Sequence, residues 1–256
     1  MGIPFLKAHG TGNDFILLHH KDVVDLDRTA LAKRLCARNT GIGSDGLIVL
    51  EPDAECDYHM DFYNPDGSQS FCGNGSRCAF FTAHKWGMAQ NEATFRAIDG
   101  THYARFEGER IAVSMRNTGV PQLEEGHDFL HTGSPHAVLW VQEVSTCDLN
   151  AAARPVRYDP RYAPGGTNVN LVALEGEGIA MRTFERGVEG ETLSCGTGVT
   201  AAALVAAHRH GLTSPIDVQA PGGNLQVRFV AEPEGFTQIV LLGAVAEVFT
   251  GIVSRS

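Results

Sequence analysis

Residues 70–87 read SFCGNGSRCAFFTAHKWG, a thiol set directly before a glycine-rich turn that opens into apolar, helix-like sequence. The pattern returns at 193–211 as LSCGTGVTAAALVAAHRHG. Cys72 and Cys195 thus hold matching places about half the chain apart. Both predicted helices close with basic residues, His84 and Lys85 in one, His208, Arg209 and His210 in the other, followed by Gly87 and Gly211. Basic last turns complement the negative end of a helix dipole, and glycine suits the residue past the end. The second helix carries no polar stripe before its last turn, so it must be buried on every side.

The likeness extends outward from the thiols in a fixed order. GNDFILL (12–18) pairs with GSPHAVL (133–139), GIGSDGLIVL (41–50) with GGTNVNLVAL (165–174), and DGTHYARF (99–106) with GGNLQVRF (222–229). Order kept over four segments is the mark of an internal duplication. Short strands bounded by Gly, Pro and Asn are expected at FILLHH, GLIVLE, YHMDFY, THYARFE and RIAVSM, then at AVLWVQE, NLVALE, IAMRTFE, LQVRFV and TQIVLLG. A further helix is expected over DRTALAKRLCARNTG (27–41), with Asp27 as N-cap and Gly41 past its end. The expected fold is α+β, with two pseudo-symmetric domains, each a barrel-like, mostly antiparallel sheet around a central helix. The expected domains are 1–118, joined by a last strand at about 247–256, and 119–246, with the seam near Asn117–Val120.

Bulk properties bound the function. The chain has 256 residues, 43% of them apolar, and a net charge of −10. An acidic chain with no basic run argues against nucleic acid as a partner. The N-terminus lacks the pattern of a signal peptide, and no apolar stretch approaches membrane-spanning length, so a cytoplasmic protein with no membrane partner is expected. Six cysteines without a CxxC pair suggest neither a disulfide scaffold nor a structural zinc site. Cys36, Cys56 and Cys147 read as small buried hydrophobes, and Cys78 as packing.

One cysteine before a glycine-rich helix start is most simply a small core residue; two, at equivalent places of a duplicated chain, suggest paired chemistry. A helix N-terminus offers unpaired N–H groups and partial positive charge, which favour a bound carboxylate and favour thiolate over thiol. If two such ends faced each other, a carboxylate between them would place one sulfur on each side of its α-carbon. One sulfur would remove the α-proton and the other would return a proton to the opposite face. This is racemisation or epimerisation by two bases, with no cofactor and no metal.

The motifs HGTGNDF, FYNPDGSQSFCGNGSRC, GSPH, FERGVEGETLSCGTGVTA and APGG resemble those of the diaminopimelate epimerase family over essentially the whole chain. The resemblance implies cofactor-independent conversion of LL-2,6-diaminopimelate to the meso form in lysine and peptidoglycan precursor synthesis, by a homodimer. It further implies Cys72 and Cys195 as the catalytic bases. Gly73 and Asn74, with Gly196 and Thr197, would hold the reacting carboxylate on backbone N–H groups. Asn13, Asn64, Asn168, Glu185 and Arg186 would bind substrate, Arg186 taking the distal carboxylate in two-pronged fashion. His136 and Ser134 are further candidates near the site. Ser134 replaces an asparagine, and Gly46 a glutamine, found in some members. Asparagine beside Gly or Pro is also a common turn residue, and Glu185 with Arg186 could be an exposed pair. Two other readings stand: a proline-type racemase on the same fold, which would carry histidine where this chain has Asn74, and a dithiol redox protein.

Overall fold

The computed structural model describes residues 2–255. The chain divides into two compact units, Met1–Val113 with Gly243–Ser256, and Ser114–Leu242.

The first unit contains strands β1 (Ile3–Gly10), β2 (Asn13–His19), β3 (Gly46–Glu51), β4 (Tyr58–Tyr63), β5 (Glu92–Ala97), β6 (Gly100–Glu107) and β7 (Arg110–Ser114), with helices α1 (Arg28–Cys36) and α2 (Gly73–Lys85). β1 pairs antiparallel with β2, β3 with β4, β5 with β6, and β6 with β7. Two neighbours are parallel: β2 with β3, connected through α1, and β4 with β5, connected through α2. Parallel neighbours need such a crossover because a tight turn cannot reverse the chain between them.

Alternation along β2 and β3 decides which helix each side chain meets. Phe15, Leu17, Ile48 and Leu50 join the core around α2, with Phe80, Ala83 and Phe95. Ile16, Leu18, Leu47 and Val49 join the core under α1, with Leu31, Ala32 and Leu35. Strands covered on both faces therefore read as unbroken apolar runs. Asp27 caps α1 as expected, its carboxylate accepting from Thr29 N and Ala30 N. Such a cap contributes about 1 kcal/mol. The helix ends at Cys36, short of Gly41, because the chain doubles back on it. Ile42 N and Gly43 N donate to Leu35 O, and Ser44 N to Cys36 O, taking up the terminal carbonyls. A Cβ at Gly41 would stand 2.3 Å from Arg34 O, so only glycine fits that return.

The second unit contains β8 (Thr118–Gly119), β9 (Gln122–Glu124), β10 (His127–His131), β11 (Pro135–Trp140), β12 (Asn168–Glu175), β13 (Gly178–Glu185), β14 (Gly190–Thr192), β15 (Ile216–Ala220) and β16 (Gly223–Glu232), with α3 (Leu149–Arg157) and α4 (Gly196–His210). Its parallel pairs are β11 with β12, connected through α3, and β13 with β15, connected through α4. Each unit thus carries two helical crossovers in the same order. Residues 196–206 of α4 are all buried, and Gly211 ends the helix with φ +70°. β17 (Gly235–Val253) is one continuous strand, where the sequence suggests two separate segments at 237–243 and about 247–256. Its end, from Val245 to Val253, pairs antiparallel with β1. Both units are α+β, with barrel-like sheets and few helices. Cys36 and Cys78 are buried, whereas Cys56 and Cys147 are only half-buried, contrary to the expectation for those two.

Candidate active site

In the first unit, Cys72 is the N-cap of α2, with φ −134° and ψ 108°. Its sulfur accepts from Gly75 N at 3.3 Å, and its carbonyl accepts from Ser76 Oγ at 2.9 Å. A sulfur can cap only where the next turn comes close. A Cβ at Gly75 would lie 3.3 Å from Cys72 Cβ and 3.4 Å from Sγ.

Gly73 and Asn74 follow, both buried. The β1–β2 turn, with Thr11 at φ +54° and Gly12 at φ +84°, brings Asn13 to the same place. Asn13 Oδ1 accepts from Asn74 Nδ2 at 3.2 Å and lies 3.9 Å from Cys72 Sγ. Asn13 Nδ2 donates to Asp45 Oδ2 at 2.7 Å.

Asn64 is used differently. Its amide nitrogen braces its own loop, donating to Ser68 O, Ser68 Oγ and Ser70 Oγ at 3.1–3.2 Å. The loop it fixes is the one that leads into Cys72.

Behind this half-site lies Arg77, the largest fully buried side chain among the described residues. Nη2 donates to Thr11 Oγ1 at 2.6 Å, while Nε and Nη1 have no hydrogen-bond partner among the described residues. Burial pulls its pKa down to about 10. The guanidinium fits because Gly10 and Gly243 flank it; a Cβ on either would approach it to 3.0–3.1 Å. A β-branched residue at positive φ is strained, so the hydrogen bond from Arg77 helps to hold the Thr11 turn that presents Asn13.

In the second unit, Cys195 is the N-cap of α4, with φ −123° and ψ 111°, nearly the conformation of Cys72. Gly198 corresponds to Gly75: a Cβ there would lie 3.4 Å from Cys195 Cβ and 2.7 Å from Asn170 Oδ1. Gly196 and Thr197 are buried in the first turn. Cys195 Sγ lies 3.5 Å from Thr197 Oγ1, which is 2.9 Å from His136 Nε2. His136 is fully buried, and burial pushes its pKa down to about 3, with lesser contributions from the charges of His131 and Arg186. It is therefore neutral near pH 7.

The neutral ring has a defined tautomer. Asn170 Nδ2 donates to Ala137 O at 3.0 Å, and Asn170 Oδ1 accepts from Thr183 Oγ1 at 3.0 Å, which fixes the amide. The same nitrogen stands 3.2 Å from His136 Nδ1, which must then accept. The ring proton is left on Nε2, where it donates to Thr197 Oγ1. Asn170 and Thr183 were not among the residues marked from sequence. The spacing of Asn168 and Asn170 in NVN, two residues apart on a strand, places them on one face and was the available signal.

Asn168 joins two segments of this half-site, Nδ2 donating to Pro135 O at 3.0 Å and Oδ1 accepting from Arg186 N at 2.9 Å. Glu185 Oε2 accepts from Thr192 Oγ1 at 2.8 Å. Arg186 is exposed, and its guanidinium is paired with no carboxylate among the described residues; Nη1 lies against Gly165. Ser134, half-buried, accepts from Thr132 N at 3.1 Å through its backbone oxygen. The structure thus gathers Asn13, Cys72, Gly73 and Asn74 in one unit, and Ser134, His136, Asn168, Glu185, Arg186, Cys195, Gly196 and Thr197 in the other.

Comparison with known proteins matches this duplicated arrangement. The family model described as diaminopimelate epimerase covers residues 5–122 and 129–247. A diaminopimelate epimerase of Flavobacterium psychrophilum is 42% identical over 95% of this chain and 97% of its own. Another, of Methanocella arvoryzae, is 36% identical over 98% of this chain and 99% of its own. Among solved structures, a PhzF-family phenazine biosynthesis protein of Bacillus anthracis superposes with a TM-score of 0.74 at 15% identity, covering 99% of each chain. A hydroxyproline epimerase of Agrobacterium vitis, with bound trans-4-OH-L-proline, gives 0.72 at 16% identity, covering 98% of this chain and 90% of that one. At such identities these two show a shared fold. Fold, paired N-cap cysteines and sequence relatives together define an isomerase of the epimerase class. The chain belongs to the diaminopimelate epimerase family.

Proposed function

We propose that this protein converts LL-2,6-diaminopimelate to the meso isomer with two cysteines as acid and base and no cofactor. The observation that carries this reading is the equivalence of Cys72 and Cys195. Each occupies the N-cap position of the buried helix of its own unit with nearly the same backbone conformation, and each has a glycine three residues on that lets the turn close against the cysteine; only the Cys72 sulfur itself accepts a capping hydrogen bond.

In the proposed reaction the thiolate of one cysteine takes the α-proton, and the thiol of the other delivers a proton to the opposite face. In each unit the N–H groups of the first helical turn, those of Gly73 and Asn74 in one and of Gly196 and Thr197 in the other, are assigned to the substrate carboxylate, whose developing charge the helix dipoles and donors stabilise as the proton leaves. The sulfurs are supported unequally. Thr197, receiving the Nε2 proton of His136, can direct its own hydroxyl proton at Cys195 Sγ and so favours the thiolate there. Cys72 has the Asn13 carbonyl oxygen on one side and Gly75 N–H on the other.

The distal end is assigned to Arg186, whose guanidinium carries no ion pair of its own among the described residues. Asn168 fixes the backbone of Arg186, Asn13 and Asn64 are the further asparagines assigned to substrate binding, and Glu185 is assigned to the reacting end, near the substrate ammonium. Demanding one configuration at the far end prevents inversion there, since the wrong isomer would leave these polar groups without their substrate partners. We further assign the reaction to the supply of lysine and peptidoglycan precursors in the cytoplasm, and the active form to a homodimer. Exposed Val248, Phe249 and Ile252 near the end of β17 support an apolar contact between copies.

The test is α-proton exchange in deuterated water with LL-diaminopimelate and with L-proline. Exchange with the former alone supports the reading; exchange with proline alone replaces it by a proline-type racemase. No exchange with either, together with reversible dithiol oxidation, would favour the redox alternative.

A further inference from the structure

Asp45 lies outside every motif that marks the site, yet it makes the contact that sets the orientation of Asn13. An amide has two unlike ends, and only the nitrogen can donate to a carboxylate. With Asn13 Nδ2 on Asp45 Oδ2 at 2.7 Å, Asn13 Oδ1 is turned toward Asn74 Nδ2 and the sulfur of Cys72. The flipped amide would set oxygen against carboxylate on one side and nitrogen against nitrogen on the other. Asp45 is itself held: Oδ1 accepts from Arg38 Nη2 at 2.5 Å, Oδ2 also accepts from Asp14 N at 3.2 Å, and its own N donates to Asp14 O at 2.9 Å.

We propose that Asp45 is a positioning residue that locks the Asn13 amide so that Cys72 faces a hydrogen-bond acceptor, which favours the thiol there against the opposing pull of the Gly75 N–H and the helix N-terminus. The inference rests on the catalytic role assigned to Cys72, but its physical content, the state of one thiol, can be measured without substrate. With Thr197 directing a proton toward Cys195, the two half-sites would then rest in opposite protonation states, as a two-base inversion requires before substrate arrives.

The other charged and titratable groups around Asp45 and Cys72 are Lys7, which pairs with Asp14 at 2.6 Å, Asp14 itself, Arg38 on the loop after α1, His9 at the β1–β2 turn, and Arg77 and Cys78 on α2. Burial, with the neighbouring Asp14 charge, raises the pKa of Asp45 despite its hydrogen bond to Asn13.

Two neutral variants separate the hydrogen bond from the charge. Asp45→Asn retains an oxygen that can accept from Asn13 Nδ2; Asp45→Leu does not. The pH dependence of Cys72 alkylation by iodoacetamide, read by peptide mass spectrometry so that other cysteines do not contribute, is compared between them. The expected result is a midpoint about one pH unit lower in Asp45→Leu, because the released amide can turn its N–H toward the sulfur. Coincident midpoints would overturn the proposal. If Asp45→Leu does not fold, the wild-type Asn13 side-chain NH₂ resonances serve instead. They are expected to move as Asp45 titrates, and fixed resonances would equally overturn it. Failure of the epimerase reading itself would show as absent α-proton exchange, with the alkylation result intact.

Discussion

Nε2 of His136 stands 2.9 Å from Thr197 Oγ1, in a ring whose other nitrogen is committed to the amide of Asn170. This direction of donors gives the Thr197 hydroxyl a proton to spend on Cys195. Thr197→Val removes the donor while keeping the shape. The alkylation midpoint of Cys195 is expected to rise by about one pH unit, with a matching alkaline displacement of the kcat/KM profile. An unchanged midpoint would show that the threonine only packs.

His136 also predicts how stability follows pH. Its folded pKa of about 3 lies below the unfolded value of 6.5. Between these values the unfolded chain binds the extra proton, so this contribution is intact above pH 6.5 and is lost as pH falls below it. The slope expected from one such group approaches about 1.4 kcal/mol per pH unit. Urea midpoints measured from pH 7 to pH 4 should fall less steeply in His136→Gln than in the wild type. Parallel curves would mean that His136 is not the group being protonated.

The two glycines behind the thiols should respond unequally to a methyl group. Alanine in a helix interior is ordinarily better than glycine by about 1 kcal/mol. At Gly198 the new Cβ would sit 2.7 Å from Asn170 Oδ1, an atom already fixed by Thr183, so the clash should win by about 1–3 kcal/mol. At Gly75 the nearest approach is 3.3 Å, to Cys72 Cβ. There propensity and crowding nearly cancel in stability, and the cost should fall on turnover through the displaced sulfur. Chemical denaturation and steady-state kinetics on the two variants separate these outcomes; equal losses of stability would contradict the geometry.

Arg186→Ala is expected to raise KM for diaminopimelate by at least about tenfold and to lower kcat, since loss of a two-pronged carboxylate contact costs both affinity and alignment. Arg186→Lys should recover only part of this, because an ammonium lacks the planar fork. Unchanged kinetics in both would remove Arg186 from the distal site.

Much of this arrangement was legible in the chain. The two thiol turns, the caps at Asp27 and Gly211, and the ordered pairs of segments gave the duplicated α+β plan, because each depends on local chemistry that sequence records directly. Elements without such marks stayed hidden. β1 mixes charged and apolar residues in no clean alternation, β5 does alternate but two of its three buried residues are only alanine, and α3 contains Pro155, which obscures a nine-residue helix. The end of α1 was misplaced because the chain that returns over its last carbonyls is a tertiary event. The same holds within the half-sites. Asp45, Arg77 and Asn170 matter through partners distant in sequence: Asp45 through Asn13, Arg77 through Thr11, and Asn170 through His136. Asn64 carried a turn signal, and in the structure its amide nitrogen does brace a turn.

The decisive measurement is the deuterium content of product and unreacted substrate when LL-diaminopimelate is turned over in deuterated water to low conversion. Two thiols working from opposite faces predict meso product with one deuterium at the inverted carbon, and recovered substrate with none. Product that keeps its original proton, or substrate labelled as fast as product forms, would show one base serving both faces and would contradict the paired roles given to Cys72 and Cys195.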